Sequence, residues 1–110
     1  MTLSDIYTML NGITQFADKV AYRAFPVGNA PQMPYICYLS TNSNNFFADN
    51  KVAQKAESVD IELYTDTKDI ASEELVEEKL NANNLPWEKT ETYIDSEQCY
   101  QITYTIEVRA

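Results

Sequence analysis

Two stretches of this chain alternate strictly between apolar and polar residues, and that alternation restricts the fold more than any other feature. In 57–65, Val59, Ile61 and Leu63 are interleaved with Asp60, Glu62 and Tyr64. In 99–108, Tyr100, Ile102, Tyr104, Ile106 and Val108 fall on one side. A period of two places all the apolar side chains of a strand on one face, so each stretch reads as a strand with one buried face. A sheet of such strands needs a cover.

The cover is legible in two helical patterns. Over 3–16, Ile6, Met9, Leu10, Ile13 and Phe16 recur at steps of three and four, the stripe of an amphipathic helix, with Thr2 or Ser4 as its cap and Thr2 with Asp5 as a weakened capping box, Asp in place of Glu. A second helix is predicted over 70–81, with Leu75, Val76 and Leu80 on its apolar side and Glu73, Glu74, Glu77 and Glu78 facing water. Asp66-Thr67-Lys68-Asp69 supplies its turn and cap residues. Further strands are expected at 20–25, 35–39 and 87–94. Asp95-Ser96-Glu97 would turn the last strand pair into an antiparallel hairpin. Between 26 and 34, Pro26, Gly28, Pro31 and Pro34 force an irregular connection, and the polar run 40–45 ends the strand before it. The order α-β-β-β-α-β-β predicts an α+β two-layer sandwich, a mostly antiparallel sheet of about five strands with two helices on one face. At 110 residues, one domain accounts for the whole chain.

Charge and residue usage narrow the function. Seventeen acids against eight basic residues give a net charge of −9, which repels phosphate backbones and anionic lipid heads. Neither a sequence-specific nucleic-acid reader nor a membrane binder is expected. The chain has no histidine, which removes the usual Ser-His-Asp and Cys-His catalysts and most zinc sites. Cys37 and Cys99 form neither a redox pair nor a zinc motif and read as small buried hydrophobes in a reducing cytosol. The two glycines, Gly12 and Gly28, are too far apart to build a phosphate cradle, and the calcium-loop spacing is missing. No catalytic, cofactor-binding or metal-ligating residues are therefore assigned.

Eight tyrosines fall mostly on expected strands, where they supply core area or interface anchors. The sharper candidate is a loop carrying Phe46-Phe47-Ala48-Asp49-Asn50, because two adjacent aromatics in a polar segment do not both fit under one core. Phe46, Phe47, Asp49 and Asn50 are the candidate subunit-interface residues.

Four further segments occur in a telling order: Phe25-Pro26 with Pro34-Tyr35-Ile36, Asn45-Phe46-Phe47-Ala48-Asp49-Asn50, Val59-Asp60-Ile61-Glu62-Leu63-Tyr64-Thr65-Asp66-Thr67-Lys68-Asp69, and Trp87-Glu88-Lys89-Thr90-Glu91-Thr92-Tyr93-Ile94-Asp95-Ser96-Glu97. Together they resemble the small neck proteins of long-tailed phages and prophages, the tail-completion or tail-to-head joining family, over 22–108. The resemblance implies a non-enzymatic α+β virion assembly subunit that closes the head-proximal end of the tail tube as a ring, usually six-membered. Its partners would be further copies of itself, the tail tube protein and the head connector or stopper protein. Its location would be the host cytoplasm during assembly, then the virion neck. Tail completion, tail termination and a head-side stopper role stay open. Two other classes compete: an acidic nucleic-acid mimic that inhibits a host enzyme, and an enzyme using Asp or Glu as base.

Overall fold

The computed structural model describes residues 1–109. Helix α1 (Leu3–Asn11) begins with the reciprocal capping box, in which Thr2 Oγ1 accepts from the Asp5 amide and Asp5 accepts from the Thr2 amide. The helix is shorter than its apolar stripe. Ile13 is extended, and a 3-10 turn over Thr14–Phe16 then swings Phe16 inward, so that Ile13 and Phe16 both stay buried. Strand β1 (Val20–Tyr22) ends where Arg23 takes a positive φ, three residues short of the expected limit.

Strand β2 runs through Tyr35–Ser43 and so includes four of the six residues of the polar run expected to end it. The reason is tertiary. Ser40, Asn42 and Ser43 lie opposite Val59, Ser58 and Glu57 of strand β5 (Ala56–Thr65), with a bulge between Ser40 and Asn42, and the ladder satisfies the backbone whatever the side chains. Strands β3 (Phe46–Ala48) and β4 (Lys51–Gln54) form a separate two-stranded sheet in place of the expected loop. Helix α2 (Ile70–Ala82) is capped by Asp69, whose carboxylate accepts from the Ser72 amide. Strands β6 (Glu88–Ile94) and β7 (Cys99–Arg109) make the expected hairpin.

The main sheet has the order β1-β2-β5-β7-β6, antiparallel except for the parallel β1–β2 pair. Its helix-facing rows are Val20, Ile36, Leu63 and Ile102, then Tyr22, Tyr38, Ile61 and Tyr104, as the register requires. Apart from Tyr22, which is exposed at the sheet edge, these residues form one core with Ile6, Met9 and Leu10 of α1 and Val76 and Leu80 of α2. The α+β sandwich with both helices on one face is the architecture that the alternation demanded.

Helix α2 departs from expectation at two acids, Glu73 and Glu77, the second half-buried against Tyr104. Glu73, expected to face water, is buried, with a side chain only 4% exposed. Lys68 Nζ lies 2.7 Å from its Oε2 and Lys89 Nζ 3.2 Å from its Oε1. The Lys68 contact is an ion pair without hydrogen-bond alignment, since Oε2 has no aligned donor. Lys68 also reaches Glu91 at 2.6 Å, and Lys89 reaches Glu77 at 2.9 Å. The Tyr104 hydroxyl donates to Glu77 Oε2 at 2.7 Å. A buried acid is tolerable only when paired, and here two lysines from the α2 approach and from β6 close over it. Burial raises the Glu77 carboxyl, but the hydrogen bonds from Lys89 and Tyr104 and the lysine charges outweigh this and hold it below its ordinary value. That carboxylate therefore stabilises the fold at neutral pH, and its contribution fades as the pH falls through its lowered value.

Replacing Lys68 and Lys89 together by Met leaves the buried Glu73 side chain without its partners, and a loss of about 3 kcal/mol is expected in urea unfolding at pH 7. Adding Glu73→Gln to the same chain should restore most of it. A loss within the range of exposed ion pairs, about 1 kcal/mol or less, would show that water screens the cluster.

Candidate functional site

The candidate residues Phe46, Phe47, Asp49 and Asn50 all fall on the β3–β4 hairpin, which projects as an arm between β2 and β5. The arm lengthens the molecule: the radius of gyration is 14.8 Å with a long axis of 49 Å, against about 13 Å for a compact chain of this length. Asp49 and Asn50 sit at the tip with φ of 52° and 62°. Two central residues of positive φ make the tight turn whose twist suits a hairpin, a conformation Asp and Asn adopt more readily than most residues. The turn accounts for these two residues, which are exposed at its tip.

The base of the arm is tied down. The Asn44 amide donates to the Ala56 carbonyl at 2.8 Å, the Ala56 amide to Asn45 Oδ1 at 3.1 Å, and Asn44 Nδ2 to Ser58 Oγ at 2.8 Å. The Arg109 guanidinium lies over the Phe46 ring at 5.4 Å from its centroid. Phe47 pairs across the ribbon with Val52. Phe46, Phe47 and Val52 are 51%, 72% and 44% exposed, three apolar side chains on a ribbon that no third strand joins among the described residues. Apolar side chains collected on a projecting element mark an interaction surface more often than scattered ones do. Val52 and Arg109 belong to this surface and escaped the sequence reading. The Asp-Asn pair between two short apolar runs was the available signal for the hairpin, but each run is too short to show a period of two.

The sheet face turned away from the helices is the second feature. Its register rows are Tyr35, Tyr64, Gln101 and Thr92, then Cys37, Glu62, Thr103 and Thr90, then Leu39, Asp60, Thr105 and Glu88. The face is polar and acidic. The Tyr64 hydroxyl donates to Glu62 Oε1 at 3.1 Å, while Gln101 Nε2 donates to Glu62 Oε2 at 3.2 Å and to the Tyr64 oxygen at 2.8 Å. Thr105 Oγ1 donates to Asp60 at 2.8 Å. Burial raises the Glu62 carboxyl above its ordinary value, opposed by the Tyr64 hydrogen bond and assisted by the Asp60 charge. Burial also raises Tyr64, and it pushes the Cys37 thiol up to about 11, assisted by Glu62. Cys37 and Cys99 are free thiols and both buried, so Cys37 stays a protonated and unreactive packing group.

At the Tyr35 end, the loop after β1 folds over this face and leaves a cavity of about 190 Å³ lined by Arg23, Phe25, Ala30, Tyr35, Tyr64 and Glu97 among others. Phe25 meets Tyr35 edge-on at 5.2 Å between centroids, and Tyr35 stacks on Tyr64 at 5.1 Å. A larger hollow of about 500 Å³ lies between Asn83–Pro86 and Glu107–Arg109, against Met1. Among the described residues, no group of three Cys, Asp or Glu is placed to hold a metal ion, and no helix is long and apolar enough to cross a membrane.

No family model and no curated protein sequence matches the chain. The functional reading therefore rests on its own residues.

Because its folded carboxyl is raised, ionised Glu62 costs stability above its ordinary value, and that cost disappears in acid where the group is protonated in both states. Glu62→Gln is expected to raise the unfolding midpoint modestly at pH 7, with the advantage shrinking toward pH 4. A constant difference across that range, followed by thermal unfolding, would assign the effect to the hydrogen bonds instead.

Proposed function

We propose that this chain is a structural assembly subunit that completes the head-proximal end of a phage tail and joins it to the head connector, acting as a ring of identical copies. The observation that carries this reading is the arm: a hairpin tied at its base, with Phe47 and Val52 uncovered, projecting from a body that does not use them. A subunit that must grip its neighbours needs such an element. Contacts in a ring are heterologous, a donor face on one copy meeting a different acceptor face on the next. Asn45 through Asn50, one of the four segments whose order resembles that of the neck proteins, lies on the arm.

The acidic sheet face carrying Asp60, Glu62, Glu88 and Glu107 supports the reading further, since a passage lined by carboxylates lets DNA slide without being held. The partners of the ring are the tail tube protein on one side and the connector or stopper protein on the other. The role needs no catalysis and no cofactor. Nucleic-acid mimicry is the weaker alternative, because Glu73, Glu77 and Glu91 are already tied to Lys68 and Lys89 and are not free to imitate a row of phosphates.

The test is to disable the reading frame in the virus or prophage that carries it, induce assembly, and image the lysate by negative-stain electron microscopy. Separate DNA-filled heads and tails are expected, and overlong tails would move the role to length termination. Intact infectious particles in normal number would overturn the neck reading and send the search to host proteins that bind the acidic chain.

A further inference from the structure

Phe46 and Phe47 are neighbours in sequence with different employment. Phe46 is held within its own chain by Arg109, whereas Phe47, opposite Val52 across the hairpin, is 72% exposed. The aromatic cavity of Phe25, Tyr35 and Tyr64 is the complementary oddity, a hollow of about 190 Å³. It is smaller than the roughly 300–1,000 Å³ of small-molecule sites, and it has room for one side chain.

The two features cannot meet within one molecule. The cavity sits at the Tyr35 end of β2 and the arm leaves from beyond its Ser43 end. A nine-residue strand separates them, roughly 25 Å at about 3.3 Å per residue. The arm is also fixed at its base by Asn44 and Asn45, so it cannot fold back over that distance.

We propose that Phe47 on the arm of one copy seats in the cavity formed by Phe25, Tyr35 and Tyr64 of the next copy. The occupant is a second copy of this chain for reasons of charge as well as size. The arm, residues 44–55, carries Lys51 and Lys55 against Asp49 alone, on a chain of net charge −9. The cavity rim presents Glu97 and Arg23, one group for each sign near the arm tip. An aromatic ring entering among Phe25, Tyr35 and Tyr64 has edge-to-face partners on several sides, the environment in which an anchor residue contributes most. Because donor and acceptor lie at opposite ends of the subunit, the contact repeats head to tail, and it closes into a ring or grows as a filament according to the rotation per step. This deepens the ring reading and rests on it for closure, but the contact itself is measured separately.

The first variant is Phe47→Ser, at an exposed position that leaves the fold intact, and the second is Ala30→Trp, at the exposed rim, which fills the cavity. Sedimentation velocity over rising concentration should show self-association of the unaltered chain weakened about thirtyfold by either change, the effect of losing one anchor residue. Mixing an Ala48→Cys chain, which keeps Phe47 and carries the thiol at the exposed position beside it, with an Ala30→Cys chain and adding a short bis-maleimide should give a covalent dimer well above the yield of either chain alone. The chain carrying both substitutions should give a ladder. Unchanged association in both variants, or dimer yields no higher in the mixture, overturns this contact while the lysate phenotype still decides the neck role. A monomer at every concentration with no crosslink in the mixture overturns it equally.

Discussion

Ten consecutive residue pairs join β5 to β7, from Ala56 opposite Arg109 to Thr65 opposite Tyr100, and the other elements take their positions from that ladder. Both strands are long and both alternate, so the register that pairs Ile61 with Tyr104 and Leu63 with Ile102 places all four on the same face. A slip of one residue would turn Glu62 and Asp60 into the core, which fixes the register firmly. One face is therefore apolar over its whole length and must be covered, and α1 and α2 are the cover. The opposite face is left to Tyr, Thr, Gln and carboxylates.

The charges follow the same division. On the covered side, the acids that α2 turns toward the sheet are neutralised locally by Lys68 and Lys89, which lock α2 to β6 and β7 at the sheet edge. The outer edge of β6 carries Lys89 and Glu91, charges that discourage indiscriminate pairing with another strand. On the open side, Asp60 and Glu62 are held by hydroxyl and amide donors. That face is polar and acidic, while the aromatic side chains Phe46 and Phe47 are exposed on the arm.

The arm obeys another rule. A two-stranded ribbon is marginal in water by itself, and this one depends on the asparagines at its base and on Arg109 over Phe46 for its direction. Its far end has no such support from its own chain. Phe47 and Val52 are exposed toward that end, so their apolar area adds little to the stability of the monomer. The aromatic cavity at the other end of β2 is the matching deficit, a hollow whose walls are set but whose centre is unfilled.

Much of this was legible from local pattern. The alternation in 57–65 and 99–108, the apolar stripes of both helices, the Thr2–Asp5 cap and the final hairpin each follow from the period and chemistry of a few adjacent residues, and those are decided within the strand or helix itself. The acidic balance and the missing histidine were equally local facts. What the tertiary structure decided was wherever distant residues had to meet: Ser40 to Ser43 became strand because β5 lay beside them, and Glu73 turned inward because Lys68 and Lys89 arrived from elsewhere. The supposed loop became an arm because residues at its base bonded to β5, and the cavity exists because the proline-rich connection folds back over Tyr35 and Tyr64. Pairing between sequence-distant groups leaves no periodic trace in the chain, which is why the body of this protein could be read from its sequence and its working ends could not.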